Sequence, residues 1–434
     1  MPEKFIIQGG KPLRGEVEIR GAKNAAFPIL AAALLTKSPC VINNLPLIED
    51  VFQMLKVLEG LGAKITWLGE REVKIRCSRV KLSKLPLDIV GCFRGSILVL
   101  GPLLARFNKA KIPPPGGCVI GARPIDSHLD AFSQLGIKVS VKNNRYHLEK
   151  SRKFEPKYYT LTQFKKEKPF EVVLKEFSVT ATENILLYAS SLIETTILKI
   201  ADQDYQVQEL IKVLKKMGAD VKGAGTHTLR ISGKKKLKGF THTLISDPIE
   251  TGTFIAATLA TRGNVLIKNA ELSFLDLFLK RLSDFGAKFE IVNPKTIRVL
   301  PSSLKIDKIQ SLPYPGIHSD LQPELGILAT QTPGPTLIQD PLYEGRLKYL
   351  DVLNRMGADI IFCDPHRAII YGPTKLYGTE IPSTDIRAGA ALVIAGLIAK
   401  GKTVINNIYQ IDRGYEKIEE RLQLLGANIK RVKE

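Results

Sequence analysis

Apolar residues recur every three to four positions in several charged stretches of this chain, such as 51–61 and 418–425, a period that predicts amphipathic helices. Six times the stretch ends alike: a bulky apolar residue, glycine, a small or β-branched residue, a polar residue, then strand-like alternation. The copies are Leu61-Gly62-Ala63-Lys64, Leu135-Gly136-Ile137-Lys138, Met217-Gly218-Ala219-Asp220, Phe285-Gly286-Ala287-Lys288, Met356-Gly357-Ala358-Asp359 and Leu425-Gly426-Ala427-Asn428. A helix C-terminus needs a residue that tolerates the left-handed conformation, so each glycine predicts a helix stop. The spacing, roughly 70 to 80 residues, exceeds that of solenoid repeats and predicts six small αβ units.

A second pattern lies upstream of the stops. Ala-rich, nearly uncharged stretches occur at 24–35, 95–104, 184–192, 252–259, 321–328 and 388–398, and a helix apolar on all sides must be buried. Charged or amide residues stand near each N-terminal end: Lys23 and Asn24, Arg94, Glu183 and Asn184, Asp247 and Glu250, Asp320, Asp385 and Arg387. Helix N-termini attract anions, and six aimed at one place would bind an anionic ligand. Acidic residues there also read as helix caps; Asp320 taken alone reads as the cap of the helix that follows it.

β-Branched runs follow the buried stretches at Val41-Ile42, 196–200, 265–267, 336–338 and 403–405. The unit then reads β-α-β-α-β-β, three per half, giving an α/β fold of two domains with a cleft between them.

Composition narrows the function classes. The chain of 434 residues is 44% hydrophobic, enough for two filled cores. Its longest apolar runs fall short of the about 18 residues a membrane span needs, and 1–10 lacks a signal-peptide shape, so a cytoplasmic protein is expected. Cys40, Cys77, Cys92, Cys118 and Cys363 form no CxxC pair, and the histidines are dispersed; neither a disulfide framework nor a metal site is expected. The net charge of +20 raises the question of nucleic acid. Lysine-rich runs such as 212–216, 234–238 and 165–168 read as solvated faces, and aromatics are not interleaved with them, so no base-stacking platform is predicted. The polar stretch 151–168 reads as an inserted surface loop.

The most specific local feature is 113–126, Pro-Pro-Pro-Gly-Gly-Cys-Val-Ile-Gly-Ala-Arg-Pro-Ile-Asp. Prolines stiffen its base and glycines flank Cys118, a composition suited to a lid, and Arg123 would both favour the thiolate and bind an anion. A small buried cysteine is the bland alternative.

With these residues in view the chain resembles the UDP-N-acetylglucosamine 1-carboxyvinyltransferases, enolpyruvyl transferases of peptidoglycan precursor synthesis. The resemblance runs through Ile7-Gln8-Gly9-Gly10, Gly21-Ala22-Lys23-Asn24-Ala25-Ala26, the Cys118 loop, Thr180-Ala181-Thr182-Glu183-Asn184, Glu250-Thr251-Gly252-Thr253, Ser319-Asp320-Leu321-Gln322, Asp385-Ile386-Arg387-Ala388 and Ile411-Asp412-Arg413-Gly414-Tyr415-Glu416. It is weakest from about 143 to 170. It implies a two-domain inside-out α/β barrel fold built from six βαβαββ units, with a first domain of 1–21 and 246–434 and a second of 22–245 carrying the loop at 113–126. It also implies attack of the sugar 3-hydroxyl on C2 of phosphoenolpyruvate, protonation of C3 and loss of phosphate, with no cofactor or metal. The implied partners are the two small substrates, without nucleic acid or membrane; the oligomeric state is left open.

Carried over by matching motif, Asp320 would be the general base. Lys23, Arg123 and Arg413 would grip the phosphate of phosphoenolpyruvate, Arg346 and Arg387 its carboxylate region, and Arg94 and Asp385 would complete that set. Along the nucleotide sugar would lie Arg123, Pro124, Ile125, Asp126, Ser178, Val179 and Thr180, with Leu342 and Tyr343 near the uracil. Asn24 and Ser319 would meet the sugar, as would Arg94 and Asp320. Cys118, with Lys23, Asp320 and Arg413 the catalytic group, would protonate C3 or form an adduct, and would be the target of the epoxide fosfomycin.

Departures from the family pattern are Ser127 for leucine, Thr180 for glycine, 201–205 (Ala-Asp-Gln-Asp-Tyr) for Ala-Arg-Glu-Pro-Glu, Pro248 for arginine, and Gly345-Arg346-Leu347 for Asn-Arg-Phe. They touch uridine affinity and domain docking more than chemistry. The sister transferase that acts on shikimate 3-phosphate shares the fold but lacks the cysteine lid and the Arg-Pro-Ile-Asp segment. A basic nucleic-acid-binding protein is the reading from another class, separable by its salt dependence.

Overall fold

The computed structural model describes residues 3–117, 120–151 and 169–433. These fall into two units: 3–20, 120–122 and 246–433 in the first, 21–117 and 123–245 in the second. Residues 120–122 group with the first unit, whereas the sequence reading kept all of 113–126 in the second. The carbonyl of Ile120 accepts from the Gly345 amide at 2.9 Å. Most of the stretch read as an inserted loop, 152–168, lies outside the described residues.

The apolar stretches become the central helices, Lys23–Ala32, Leu100–Phe107 (preceded by the 3-10 turn Arg94–Val99) and Val179–Ala189 in the second unit. Pro248–Ala260, Gln322–Ala329 and Ile386–Ile398 occupy the first. In Gln322–Ala329 every residue is buried, including Gln322 and Glu324. Small residues let such helices approach closely: a Cβ at Gly252 would stand 2.4 Å from Cδ2 of Leu321. Each unit has its own apolar core around its helices, with the sheets outside.

The repeat is legible in the first unit. Lys308–Gln310 runs parallel to Gly334–Gln339, with the central helix between them in sequence. Gly334–Gln339 pairs antiparallel with Arg367–Gly372, which pairs antiparallel with Asp359–Asp364. Elsewhere strands distant in sequence complete the pattern. Arg14–Glu18 pairs parallel with Asn264–Lys268, Thr241–Thr243 with Cys40–Asn43, and Glu3–Gln8 lies between Lys402–Asn406 and Asn428–Lys433. The sheet of Lys109–Ile112, Arg145–Lys150 and Ile137–Lys142 has three strands among the described residues. Its strand Lys109–Ile112 escaped the sequence reading because alternating lysines leave it only two apolar residues.

The six stops share one geometry. Gly62, Gly136, Gly218, Gly286, Gly357 and Gly426 have φ of +103°, +79°, +103°, +96°, +99° and +90°. In five of them the next residue is alanine, and its amide reaches back to the last turn: Ala63 to Leu58 O, Ala219 to Leu214 O, Ala287 to Leu282 O, Ala358 to Leu353 O and Ala427 to Leu422 O, at 2.9–3.0 Å. That is the Schellman arrangement, which satisfies carbonyls a helix end otherwise leaves bare.

A Cβ at Gly426 would meet nothing within 4 Å, so substitution there reports the backbone alone. Gly426→Ala is expected to cost about 1–2 kcal/mol in urea unfolding, and Gly426→Asn less, because asparagine tolerates the left-handed region. Equal midpoints for wild type and Gly426→Ala would contradict a conformational role for the glycine.

Candidate active site

In the first unit, Ser319, Asp320, Arg346, Asp385 and Arg387, all singled out by sequence, come together, with Tyr343 against Arg346. The 3-10 turn Ser319–Leu321 opens the central helix, and the ring of His318 accepts the Asp320 amide at 3.0 Å. His318 therefore caps this 3-10 turn, and the helix Gln322–Ala329 that follows has no side-chain cap from Asp320. The Asp320 carboxylate is spent elsewhere: Oδ1 accepts from Nη2 of Arg346 at 2.8 Å and Oδ2 from Nε of Arg387 at 3.1 Å. Arg346 and Arg387 are 2% and 3% exposed. Burial opposes the charge of Arg346, but Asp320, Asp385 and Asp340 around it outweigh that and raise its pKa.

The remaining contacts orient this clamp. Nε of Arg346 donates to Ser319 Oγ at 3.0 Å, and that hydroxyl donates to Oδ2 of Asp340 at 2.6 Å. Oδ1 of Asp340 accepts the amides of Leu342 and Tyr343, and the Tyr343 ring lies 5.4 Å from the Arg346 guanidinium. Asp385 caps Ile386–Ile398 through the amides of Arg387 and Ala388, as the capping reading expects, and sits 3.7 Å from Nη1 of Arg346. Arg413 is buried and donates from Nη1 to Gln410 at 2.9 Å. Leu342 is exposed.

In the second unit Lys23 begins its helix, where the dipole disfavours a cation. Asp50 lies 3.0 Å from its Nζ, with both side chains buried, and Asn24 beside it is half-buried. Arg94 donates to the carbonyls of Arg123 and Pro124 at 2.6 and 3.0 Å, holding the Arg-Pro-Ile-Asp segment by its backbone. Ile125 is buried and Asp126 starts the helix Asp126–Gln134. Ser178 caps Val179–Ala189 through the Ala181 amide. Cys118 and Val119 lie outside the described residues.

Two departures from the family pattern have partners here. The hydroxyl of Ser127 donates to Glu176 Oε1 at 2.6 Å, and Thr180 Oγ1 lies 3.0 Å from Nε2 of His128. Asn184 fixes the tautomer of that histidine. Its Oδ1 accepts the Gly101 amide, so its Nδ2 faces His128 Nδ1 at 3.1 Å as a donor. Nδ1 therefore accepts, and Nε2 carries the proton toward Thr180.

Asp340, Asp50 and His128 were not among the residues picked from sequence. Asp340 had a local signal, an aspartate two residues before a turn amide it can accept; Asp50 and His128 meet Lys23 and Thr180 only through the fold. Among the described residues, no group of three or more His, Cys, Asp and Glu side chains is placed to hold a metal ion.

Burial, helped by the Arg94 charge, pushes the His128 pKa down to about 3 from 6.5. The unfolded chain thus binds a proton that the folded chain refuses between these values, so its contribution to stability is present above pH 6.5 and is lost as pH falls toward 3. Replacing His128 by asparagine should flatten the fall of the melting temperature across that window, and an unchanged pH slope would contradict a buried neutral imidazole.

The sequence matches the family described as EPSP synthase (3-phosphoshikimate 1-carboxyvinyltransferase) over residues 7–422. A UDP-N-acetylglucosamine 1-carboxyvinyltransferase of Treponema denticola is 40% identical, covering 98% of each chain. A second, numbered 2, from Carboxydothermus hydrogenoformans is 41% identical over 99% of each. Among solved structures, the enolpyruvyl transferase NikO from Streptomyces tendae superposes with a TM-score of 0.87 at 24% identity, over 99% of both chains. An EPSP synthase from Acinetobacter baumannii does so at 0.74 and 18%, over the whole of both. These two establish the enolpyruvyl transferase fold. With about 40% identity over nearly full length in the first two, the chain belongs to the carboxyvinyl transferase family of EPSP synthase and, within it, to the UDP-N-acetylglucosamine 1-carboxyvinyltransferases.

Proposed function

We propose that the protein transfers the enolpyruvyl group of phosphoenolpyruvate to the 3-hydroxyl of UDP-N-acetylglucosamine and releases phosphate. The step opens peptidoglycan precursor synthesis in the cytoplasm and so serves wall growth, cell shape and division. The observation that carries this reading is the likeness, over nearly the whole chain, to transferases bearing that name. No described helix is long and apolar enough to cross a membrane. A net charge of +20 favours capture of two anionic substrates.

The roles follow from the chemistry of each group. Asp320 removes the proton of the sugar hydroxyl, and the oxygen attacks C2 of phosphoenolpyruvate as C3 takes a proton from Cys118. The tetrahedral intermediate then loses a C3 proton and phosphate, leaving the enolpyruvyl ether. Arg346 and Arg387 bind the carboxylate region of phosphoenolpyruvate. Lys23, Arg123 and Arg413 bind its phosphate, with Arg94 and Asp385 beside them. An anion drawn onto Arg387 shares the donors now given to Asp320, so substrate binding raises the basicity of the carboxylate that must act. Ser319 and Asn24 meet the sugar. Arg123, Pro124, Ile125, Asp126, Ser178, Val179 and Thr180 follow the nucleotide, with Leu342 and Tyr343 at the uracil.

The deciding assay is phosphate release from phosphoenolpyruvate with UDP-N-acetylglucosamine, run beside shikimate 3-phosphate; activity with the latter alone would overturn the reading. Asp320→Asn takes the negative charge from between the buried Arg346 and Arg387 and should lower the melting temperature, so turnover is compared well below the variant's own transition. Turnover should fall by about two to four orders of magnitude. Wild-type turnover in that variant would remove Asp320 from the mechanism.

Fosfomycin should alkylate Cys118. Burial pushes the thiols of Cys40 and Cys77 up to about 11 and about 12, which leaves them inert, whereas Cys92 and Cys363 are exposed. Peptide mass mapping is expected to find the adduct on Cys118 alone. An adduct on Cys92 or Cys363, or none, would contradict the assignment.

A further inference from the structure

Behind the Asp320 clamp, on the same central helix, stands a second carboxyl with no assigned part in the reaction. Glu324 has no solvent exposure. Its Oε1 lies 3.0 Å from Thr253 Oγ1 and 3.4 Å from Tyr415 OH, and the two hydroxyls are 2.8 Å apart. Thr253 Oγ1 also lies 3.0 Å from the carbonyl of Ile249 on its own helix. The Arg387 guanidinium rests 5.2 Å from the centre of the Tyr415 ring, while its Nε holds Asp320. A continuous chain of contacts therefore runs from Glu324 through Tyr415 and Arg387 to Asp320.

Thr253 has one hydroxyl hydrogen and three oxygen neighbours, the Ile249 carbonyl, Glu324 Oε1 and Tyr415 OH. The Ile249 carbonyl faces the helix amides, so the Thr253 hydrogen can go to Glu324 Oε1 while Tyr415 donates to Thr253. Oε2 of Glu324 is buried with no hydrogen-bond partner. A buried carboxylate oxygen left without a donor disfavours the anion.

We propose that Glu324 is a positioning residue of the transfer reaction: it fixes the tyrosine ring on which Arg387 rests, and its charge state sets how strongly Arg387 attracts the anionic substrate. The inference rests on the reading of Arg387 as a ligand of phosphoenolpyruvate. Glu324 is well placed to change state near neutrality. Burial raises its pKa to about 7, with Arg387 pulling it down and Asp320 pushing it up. Tyr349 and Tyr415, the other titratable groups facing it, are held neutral by burial. Above pH 7 a new negative charge therefore appears beside Arg387 and competes with the substrate for its field.

Glu324→Gln locks the neutral form, since the amide oxygen can accept from Thr253 as Oε1 does. The test compares KM for phosphoenolpyruvate in wild type and Glu324→Gln from about pH 6 to about pH 8.5, the range over which a group of pKa about 7 titrates. The substrate's own ionisation is common to both. Wild-type KM is expected to rise above that of the variant by about five- to ten-fold at the alkaline end, the effect of one unit charge nearby, and the two curves to converge toward the acid end. A merely structural role would displace the curves in parallel, and superimposed or parallel curves would overturn the inference. Infrared difference spectra of wild type against Glu324→Gln read the carboxyl band without turnover. A band that does not titrate in this range overturns the inference even in an active enzyme. A titrating band in a protein that releases no phosphate faults the functional reading instead.

Discussion

Two guanidinium groups almost without access to water must find carboxylates, and that requirement organises the first unit around its helix N-termini. Arg346 and Arg387 would each be too costly to bury as ions without Asp320 between them and Asp340 and Asp385 behind. Removing one partner of such a set leaves an uncompensated buried charge, typically about 3–5 kcal/mol. On the proposed function, a guanidinium already desolvated and fixed by Ser319, Asp320 and the Tyr343 ring would need little reorganisation to accept a substrate carboxylate.

The inside-out architecture is what allows this. A helix buried on every side has nowhere to put charge except at its ends, so the polar side chains of Ser319, Asp320, Asp385 and Arg387 gather where the central helices begin. The outer helices and sheets carry most of the solvated charge, and their glycine stops set where each helix turns into its strand. Arg421 illustrates the exception: it pairs with Glu250 and rests 4.7 Å from the Phe254 ring, tying a short outer helix to the first turn of a central one.

Much of this was legible in the sequence because it depends on short-range rules. The left-handed glycines, the all-apolar helices and the β-branched runs are each decided within a few residues. Asp320 shows the limit of such rules. Its place beside a helix start predicts a cap, yet the helix Gln322–Ala329 has no side-chain cap, and the carboxylate goes to two arginines 26 and 67 positions away. Pairings at that range follow from the fold and leave no local mark, which is why Asp50 and Glu324 also passed unnoticed.

The substitutions at 201–205 are explained on the same grounds. Where the family has arginine and proline, this chain has Asp202 and Asp204, next to the fully buried Glu183, and three carboxylates together would repel one another. Burial, with the added effect of Asp202 and Asp204, raises the Glu183 pKa well above its ordinary value, which favours the neutral acid and eases the repulsion. The two aspartates then serve the backbone. Asp202 accepts the Asp204 amide at 2.9 Å, and Asp204 caps Tyr205–Met217 by accepting the Tyr205 amide at 2.7 Å. This loop is thus held by side-chain hydrogen bonds, and the helix Tyr205–Met217 begins directly after the Asp204 cap.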